Sequence, residues 1–191
     1  MKNIFIIHGF MGSNIENWFP YVKEKIDSRN INCVIPQFPI DIKNHNYDKW
    51  KKLLDLYNYE YNMIDENTIM IGHSTGSICC VKYLIDTKTK IDKLILVSGF
   101  NNVFAEDKDD IHNKINPTYY MEDDQLKEIN KYVKEVICIY GDNDPYIPQS
   151  NLHEFAEKIS AKEIVVQGGG HLNKESGYSK FDEMIEILSK G

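Results

Sequence analysis

Arginine is almost missing from this chain. Arg29 is the only one among 191 residues. A bidentate guanidinium clamp on a carboxylate or phosphate would therefore have to come from Arg29 itself. Its place at the end of an expected helix gives it a plainer role, beside the negative end of the helix dipole. Positive charge is short altogether: 22 Lys and Arg stand against 29 Asp and Glu, a formal net charge of -7. Proteins that hold phosphate backbones carry the opposite excess, so nucleic acid is not expected as a partner. Long apolar runs are lacking too. Stretches such as 4–7 and 94–97 are far too short to span a bilayer, and no membrane association is expected. Met1-Lys2-Asn3 leads straight into the first of these runs, without the h-region of a signal peptide.

Metal and cofactor patterns are absent as well. Cys33, Cys79, Cys80 and Cys138 each sit beside apolar residues, with no C-x-x-C and no zinc spacing. They read as buried thiols of a reducing, cytoplasmic setting. The six histidines form no H-x-x-x-H pair, no P-loop occurs, and Gly168-Gly169-Gly170 lacks the βαβ context of a dinucleotide site. No metal and no cofactor is expected.

What is present is the material of one globular domain spanning 1–191. Aromatic residues make up 12% of the chain, too many for a disordered tail or acidic scaffold. Six short runs rich in Ile and Val recur at 4–7, 33–35, 68–71, 94–97, 136–140 and 164–166. They are unbroken rather than alternating, as strands covered on both faces should be. Between them lie helical stripes: Trp18, Phe19, Val22 and Ile26; Trp50 through Ile64; Leu126, Ile129 and Val133; Leu152, Phe155, Ala156 and Ile159; Phe181, Met184, Ile185 and Leu188. Residues 78–85 are apolar almost all round and should form the buried helix. This alternation predicts an α/β fold, a mainly parallel six-stranded sheet of order 2-1-3-4-5-6 with helices on both faces. The acidic stretch 101–116, broken by Pro117, leaves loop, short helix and small flap all open.

Gly72-His73-Ser74-Thr75-Gly76 follows the third strand and opens the buried helix, the strand-turn-helix setting that G-x-S-x-G requires. A serine on a sharp turn needs neighbours without Cβ atoms so that the backbone can pass closely. After the fifth strand comes Gly141-Asp142-Asn143-Asp144-Pro145-Tyr146-Ile147-Pro148, and after the sixth comes Gly170-His171. The chain order Ser, Asp, His places a nucleophile, an acid and a base at one edge of the sheet. Ser74 is the expected nucleophile and His171 the general base. Asp144 is preferred over Asp142 as the acid from its spacing to Ile147-Pro148, and Asp142 is expected to serve the turn. The first strand ends in His8-Gly9-Phe10-Met11-Gly12, where the backbone amide of Phe10 would join that of Thr75 as an oxyanion hole. Met11, Trp18, Phe100 and Tyr146, with Phe10, are the candidates for an apolar acyl pocket.

These elements together resemble the small α/β-hydrolases grouped with YdeN and retinoblastoma-binding protein 9. The resemblance rests on the H-G-x-x-G-S opening, Asn17-Trp18-Phe19-Pro20, Gly72 to Gly76, Val97-Ser98, Asp144-Pro145 before Ile147-Pro148, and Gly170-His171. It implies a serine hydrolase with a triad of Ser74, Asp144 and His171, acting on a small-molecule acyl substrate such as a carboxylic ester. The L-x-C-x-E motif of the retinoblastoma-binding relative is absent, so that partner role does not carry over. A non-catalytic binding module on the same fold is the competing reading, and amide hydrolysis or acyl transfer would use the same residues. The strands that bracket a lid in longer hydrolases lie close together here. The expectation is accordingly a core without a large lid, and a shallow, weakly covered site.

Overall fold

The apolar runs pair side by side in a computed structural model that describes residues 2–28 and 30–189, leaving Arg29 outside the described residues. The strands are β1 (Lys2–Ile7), β2 (Ile31–Val34), β3 (Ile69–His73), β4 (Ile91–Val97), β5 (Val133–Gly141) and β6 (Lys162–Val166). They form one six-stranded sheet in the order β2-β1-β3-β4-β5-β6, and every pairing is parallel. This is the order expected from the sequence.

The runs of β1 to β5 are unbroken because each faces two cores, whereas the edge strand β6 packs Ile164 and Val166 on one face only and leaves Val165 49% exposed, so the cover on both faces expected for 164–166 is not met. Successive side chains point to opposite faces. Phe5, Ile7, Met70, Leu94 and Leu96 enter one buried cluster, while Ile4, Ile6, Ile69, Ile71, Ile95 and Val97 enter the other. The first cluster is roofed by α2 (Tyr47–Asp55), α3 (Thr75–Thr87) and α6 (Gln149–Lys158). The second is roofed by α1 (Phe19–Ile26) and α7 (Asp182–Ser189). α3 is the buried helix, with Ile78, Cys79, Cys80, Val81 and Leu84 all fully covered. All four cysteines are buried and unpaired.

Two helical stripes fold differently from their periodicity. Trp50 to Ile64 predicts one long helix, but α2 ends at Asp55 and continues as a π turn, Leu56–Glu60. The wider turn brings Asn58 inward, where its amide donates to the Tyr83 hydroxyl at 3.0 Å and to Thr89 Oγ1 at 2.9 Å. Leu126, Ile129 and Val133 also do not share a helix. A single turn of α5 (Asp123–Leu126) runs into a 3₁₀ turn, Lys127–Lys131, and Val133 already opens β5 beside Ile91. A spacing of three suits 3₁₀ as well as α geometry, so the offsets alone do not separate them.

The stretch 101–116 is anchored at its base, where Asn101 and Met121 exchange two hydrogen bonds of 2.8 and 3.1 Å. It carries the short α4 (His112–Ile115) and lies beside the C-terminal ends of β3 and β4.

Candidate active site

Ser74 sits where β3 turns into α3, with φ 55° and ψ −125°, a backbone that a side chain adopts only under constraint. The constraint is visible at the flanking glycines. A Cβ on Gly72 would fall 2.5 Å from Ser77 Cα, and one on Gly76 would fall 2.4 Å from the Ile7 carbonyl. The Ser74 amide donates to the Val97 carbonyl at 2.8 Å, tying the turn to the neighbouring strand end.

His171 follows β6 and faces the loop after β5. Its Nδ1 lies 2.7 Å from Asp144 Oδ2, with 8% of the histidine side chain exposed and none of the aspartate's. The other Asp144 oxygen accepts the amides of Tyr146 and Ile147 at 2.9 and 3.0 Å. Asp142, two residues away, instead accepts the Gly168 amide at 2.7 Å and is exposed. Asn143 does the same for Gly170 at 2.7 Å. The structure thus brings Asp144, and not Asp142, to His171.

Thr75 is the first residue of α3, so its N–H has no acceptor within the helix. The Phe10 amide has no acceptor among the described residues either. Phe10 follows Gly9, which packs against Ser74: a Cβ there would lie 2.9 Å from that of Ser74. His8 braces this loop. Its Nδ1 donates to the Gly9 carbonyl at 2.9 Å and its Nε2 accepts the Phe38 amide at 3.0 Å, which fixes the neutral tautomer. Burial pushes its pKa below the usual imidazole value.

Ser74, His171, Phe10 and Thr75 line a common cleft of about 540 Å³, within the range of small-molecule sites. Phe100 and Tyr146 line it too. Trp18 and Met11 do not, which corrects their assignment to an acyl pocket. Trp18 has no exposed surface. It packs edge-on against Phe19 and Phe181 in the core beneath the sheet, and its Nε1 donates to the Leu172 carbonyl at 2.9 Å. Met11 rides the left-handed corner of the tight turn from Gly9 to Gly12, φ 48°, and its side chain is outside the lining, 39% exposed.

One wall of the cleft comes from the 101–116 stretch through Val103, Phe104, Ala105, Asp110, His112 and Asn116. The site is therefore covered along one side, where the sequence predicts a shallow, weakly covered one. His112 stacks on Phe10 with ring centroids 4.0 Å apart, and its Nδ1 lies 2.6 Å from Asp110 Oδ1. Asn116 Oδ1 accepts the Thr75 hydroxyl at 3.1 Å, fastening this wall to the start of α3. The lining also includes Glu16, Asn17, Asn173 and Glu175. Of these, only Asn17 belongs to an element that the sequence marks out, and no local pattern announces which loop residues will meet across a sheet edge. Among the described residues no three His, Cys, Asp or Glu side chains gather to hold a metal ion, and no helix is long and apolar enough to cross a membrane.

The family model for serine hydrolases matches residues 4–190. The chain belongs to the serine hydrolase family. This serine hydrolase is 26% identical to YdeN of Bacillus subtilis (strain 168) over 98% of its own length and 95% of that protein's. It is 27% identical to the serine hydrolase RBBP9 of Rattus norvegicus over 65% of its length and 61% of the rat protein's. The crystal structure of the B. subtilis ydeN product superposes with a TM-score of 0.85 and 25% identity, covering 100% of this chain and 98% of that one. Est1E from Butyrivibrio proteoclasticus, solved with ferulic acid, shares the α/β-hydrolase fold at a TM-score of 0.73 and 18% identity, covering 99% and 90%.

Proposed function

We propose that this hydrolase cleaves carboxylic esters through an acyl-serine intermediate. The observation that carries the reading is the 2.7 Å pair of His171 with the covered side chain of Asp144, where His171 lines one cleft together with a serine on a strained turn. Ser74 Oγ attacks the ester carbonyl as its proton passes to His171 Nε2. Asp144 holds the Nδ1–H and stabilises the imidazolium. The amides of Phe10 and Thr75 receive the developing oxyanion, and their freedom from other acceptors supports that role. Collapse expels the alcohol, protonated by His171. Water then repeats the sequence on the acyl-serine, with His171 again first base and then acid.

The lining supports a small, uncharged or aromatic acyl substrate. Phe10, Phe100, Phe104 and Tyr146 supply apolar surface, while Glu16, Asp110 and Glu175 are the formally charged residues and no lysine or arginine joins them. A substrate carrying its own carboxylate would enter a field of like sign. The test is labelling by a fluorophosphonate probe together with turnover of p-nitrophenyl acetate and butyrate. Wild type should label and turn over, and Ser74→Ala should do neither. A wild type that is unlabelled and inactive would refute the reading.

A further inference from the structure

Two side chains outside the proposed triad donate to a single main-chain oxygen, the carbonyl of His171. His73 Nε2 and Ser98 Oγ each lie 3.1 Å from it. A carbonyl only accepts, so His73 carries its proton on Nε2 and both lone pairs of the oxygen are taken. On the other side of the residue, the His171 amide donates to Ser176 Oγ at 3.1 Å. The loop needs such holding. Its backbone is left-handed at Gly170, φ 55°, and again at Leu172, φ 50°, immediately before and after His171. A leucine rests in that region only where its surroundings over-determine it.

The donors are well placed to transmit position. His73 is the last residue of β3 and directly precedes Ser74, while Ser98 directly follows β4. Cross-links continue between these strand ends, from the Ser74 amide to Val97 and from the Ser98 amide to Ile139, both at 2.8 Å. His73 is almost completely buried between Trp18, Phe19 and His171, and burial pushes its pKa down to about 3, so it stays a neutral single donor.

We propose that His73 and Ser98 are positioning residues, clamping the His171 main chain to the two strand ends so that its imidazole keeps register with Ser74. The inference rests on the reading of His171 as general base. Misplacement of a reacting group by about 1 Å costs on the order of 10²-fold in rate, which sets the scale of the effect.

The experiment compares His73→Phe, which keeps a flat ring and loses the donor, with His73→Gln, whose amide can reach the same carbonyl, and with Ser98→Ala. With p-nitrophenyl butyrate, His73→Phe should lower kcat by about 30- to 100-fold with KM changed by less than about threefold. The Gln variant should recover most of that loss. The acidic limb of the kcat/KM profile should move in the Phe variant and return in the Gln variant. A second readout needs no turnover: the low-field Nδ1–H proton resonance of His171, assigned by its loss in Asp144→Asn. It should be sharp in wild type and His73→Gln, and broadened in His73→Phe and, less so, in Ser98→Ala. Should His73→Phe fail to fold, Ser98→Ala carries the test by the same resonance. An unchanged resonance and pH limb in the donor-deleted variants overturns the proposal. A wild type without esterase activity refutes the esterase reading instead, and the resonance still decides the positioning role.

Discussion

His171 Nδ1 lies 2.7 Å from Asp144 Oδ2, and no part of the aspartate side chain is exposed to solvent. The buried carboxylate is committed at both oxygens, to the imidazole and to the amides of Tyr146 and Ile147. In Asp144→Asn the amide group offers the ring a donor where it needs an acceptor, which favours the wrong tautomer. Its kcat/KM should fall by about 10³- to 10⁴-fold. Asp142→Asn keeps the oxygen that receives Gly168 and should stay within about threefold of wild type. Steady-state kinetics on p-nitrophenyl butyrate distinguish them, and equal losses would reassign the acid.

Gly76 tests how tightly the serine turn is built. A Cβ there would meet the carbonyl oxygens of Ile7 and His8 at 2.4 and 2.5 Å, both main-chain atoms at the end of β1. Gly76→Ala should destabilise the fold by roughly 2–4 kcal/mol, or displace the Gly9-Phe10 loop and abolish fluorophosphonate labelling. Gly168→Ala is the contrast. That position has open space around it but a φ of 68°, so the cost should be about 1–2 kcal/mol, from backbone conformation alone. Urea denaturation of the two variants measures both, and a neutral Gly76→Ala would contradict the packing.

Much of the architecture was legible because it is written in local chemistry. Ile4 to Ile7 read as a two-faced strand because each neighbour feeds a different core, and six such runs in alternation leave few topologies. Asp144 meets His171 where the spacing to Ile147-Pro148 pointed, since Asp142 and Asn143 are consumed by holding the Gly168 and Gly170 amides. The failures are of another kind. Trp18 carries two competing signals, an apolar stripe with Phe19 and Val22 and an aromatic near the first loop; the stripe prevails and Trp18 is fully covered under the sheet, while Phe100, just beyond β4, lines the cleft. Offsets of three and four could not foresee the π turn after Asp55, which depends on the distant partners Tyr83 and Thr89 of Asn58. His112 and Asn116 reach the site through long-range packing that no window of sequence contains.

His45 should make the protein acid-sensitive. It is 1% exposed and stacks on Trp50 and Phe10, yet neither ring nitrogen has a hydrogen-bond partner among the described residues. Burial lowers its pKa to about 4, and burial likewise lowers that of His73 to about 3. In the unfolded chain both would titrate near 6.5, so below that pH the unfolded state binds protons that the native state refuses. Stability is therefore full above about pH 6.5 and declines toward pH 4, by at most about 1.4 kcal/mol per pH unit for each histidine. His45→Phe keeps the stack and removes the unpaired nitrogens. It should be as stable as wild type or more so by about 1 kcal/mol at pH 7, with a shallower decline on acidification. Chemical denaturation at pH 7, 6 and 5 reads both quantities, and an unchanged slope would rule out His45 as a source.

Thr75 joins two functions in one residue, and they can be separated. Its amide is a proposed oxyanion donor, whereas its hydroxyl donates to Asn116 Oδ1 at 3.1 Å and holds the 101–116 wall against the start of α3. Thr75→Val preserves the amide and the branched shape but cuts the hydroxyl tie, leaving the buried Asn116 oxygen without that donor. The wall should loosen while the chemistry at Ser74 persists. We expect KM for p-nitrophenyl butyrate to rise about three- to tenfold with kcat within about threefold, because loss of ground-state packing against one wall affects binding more than the chemical step. Hydrogen exchange should quicken across 101–116 and remain unchanged in β3 and β4. If kcat fell with KM unchanged and exchange in the wall stayed slow, the hydroxyl would be supporting the oxyanion amide rather than tethering the wall.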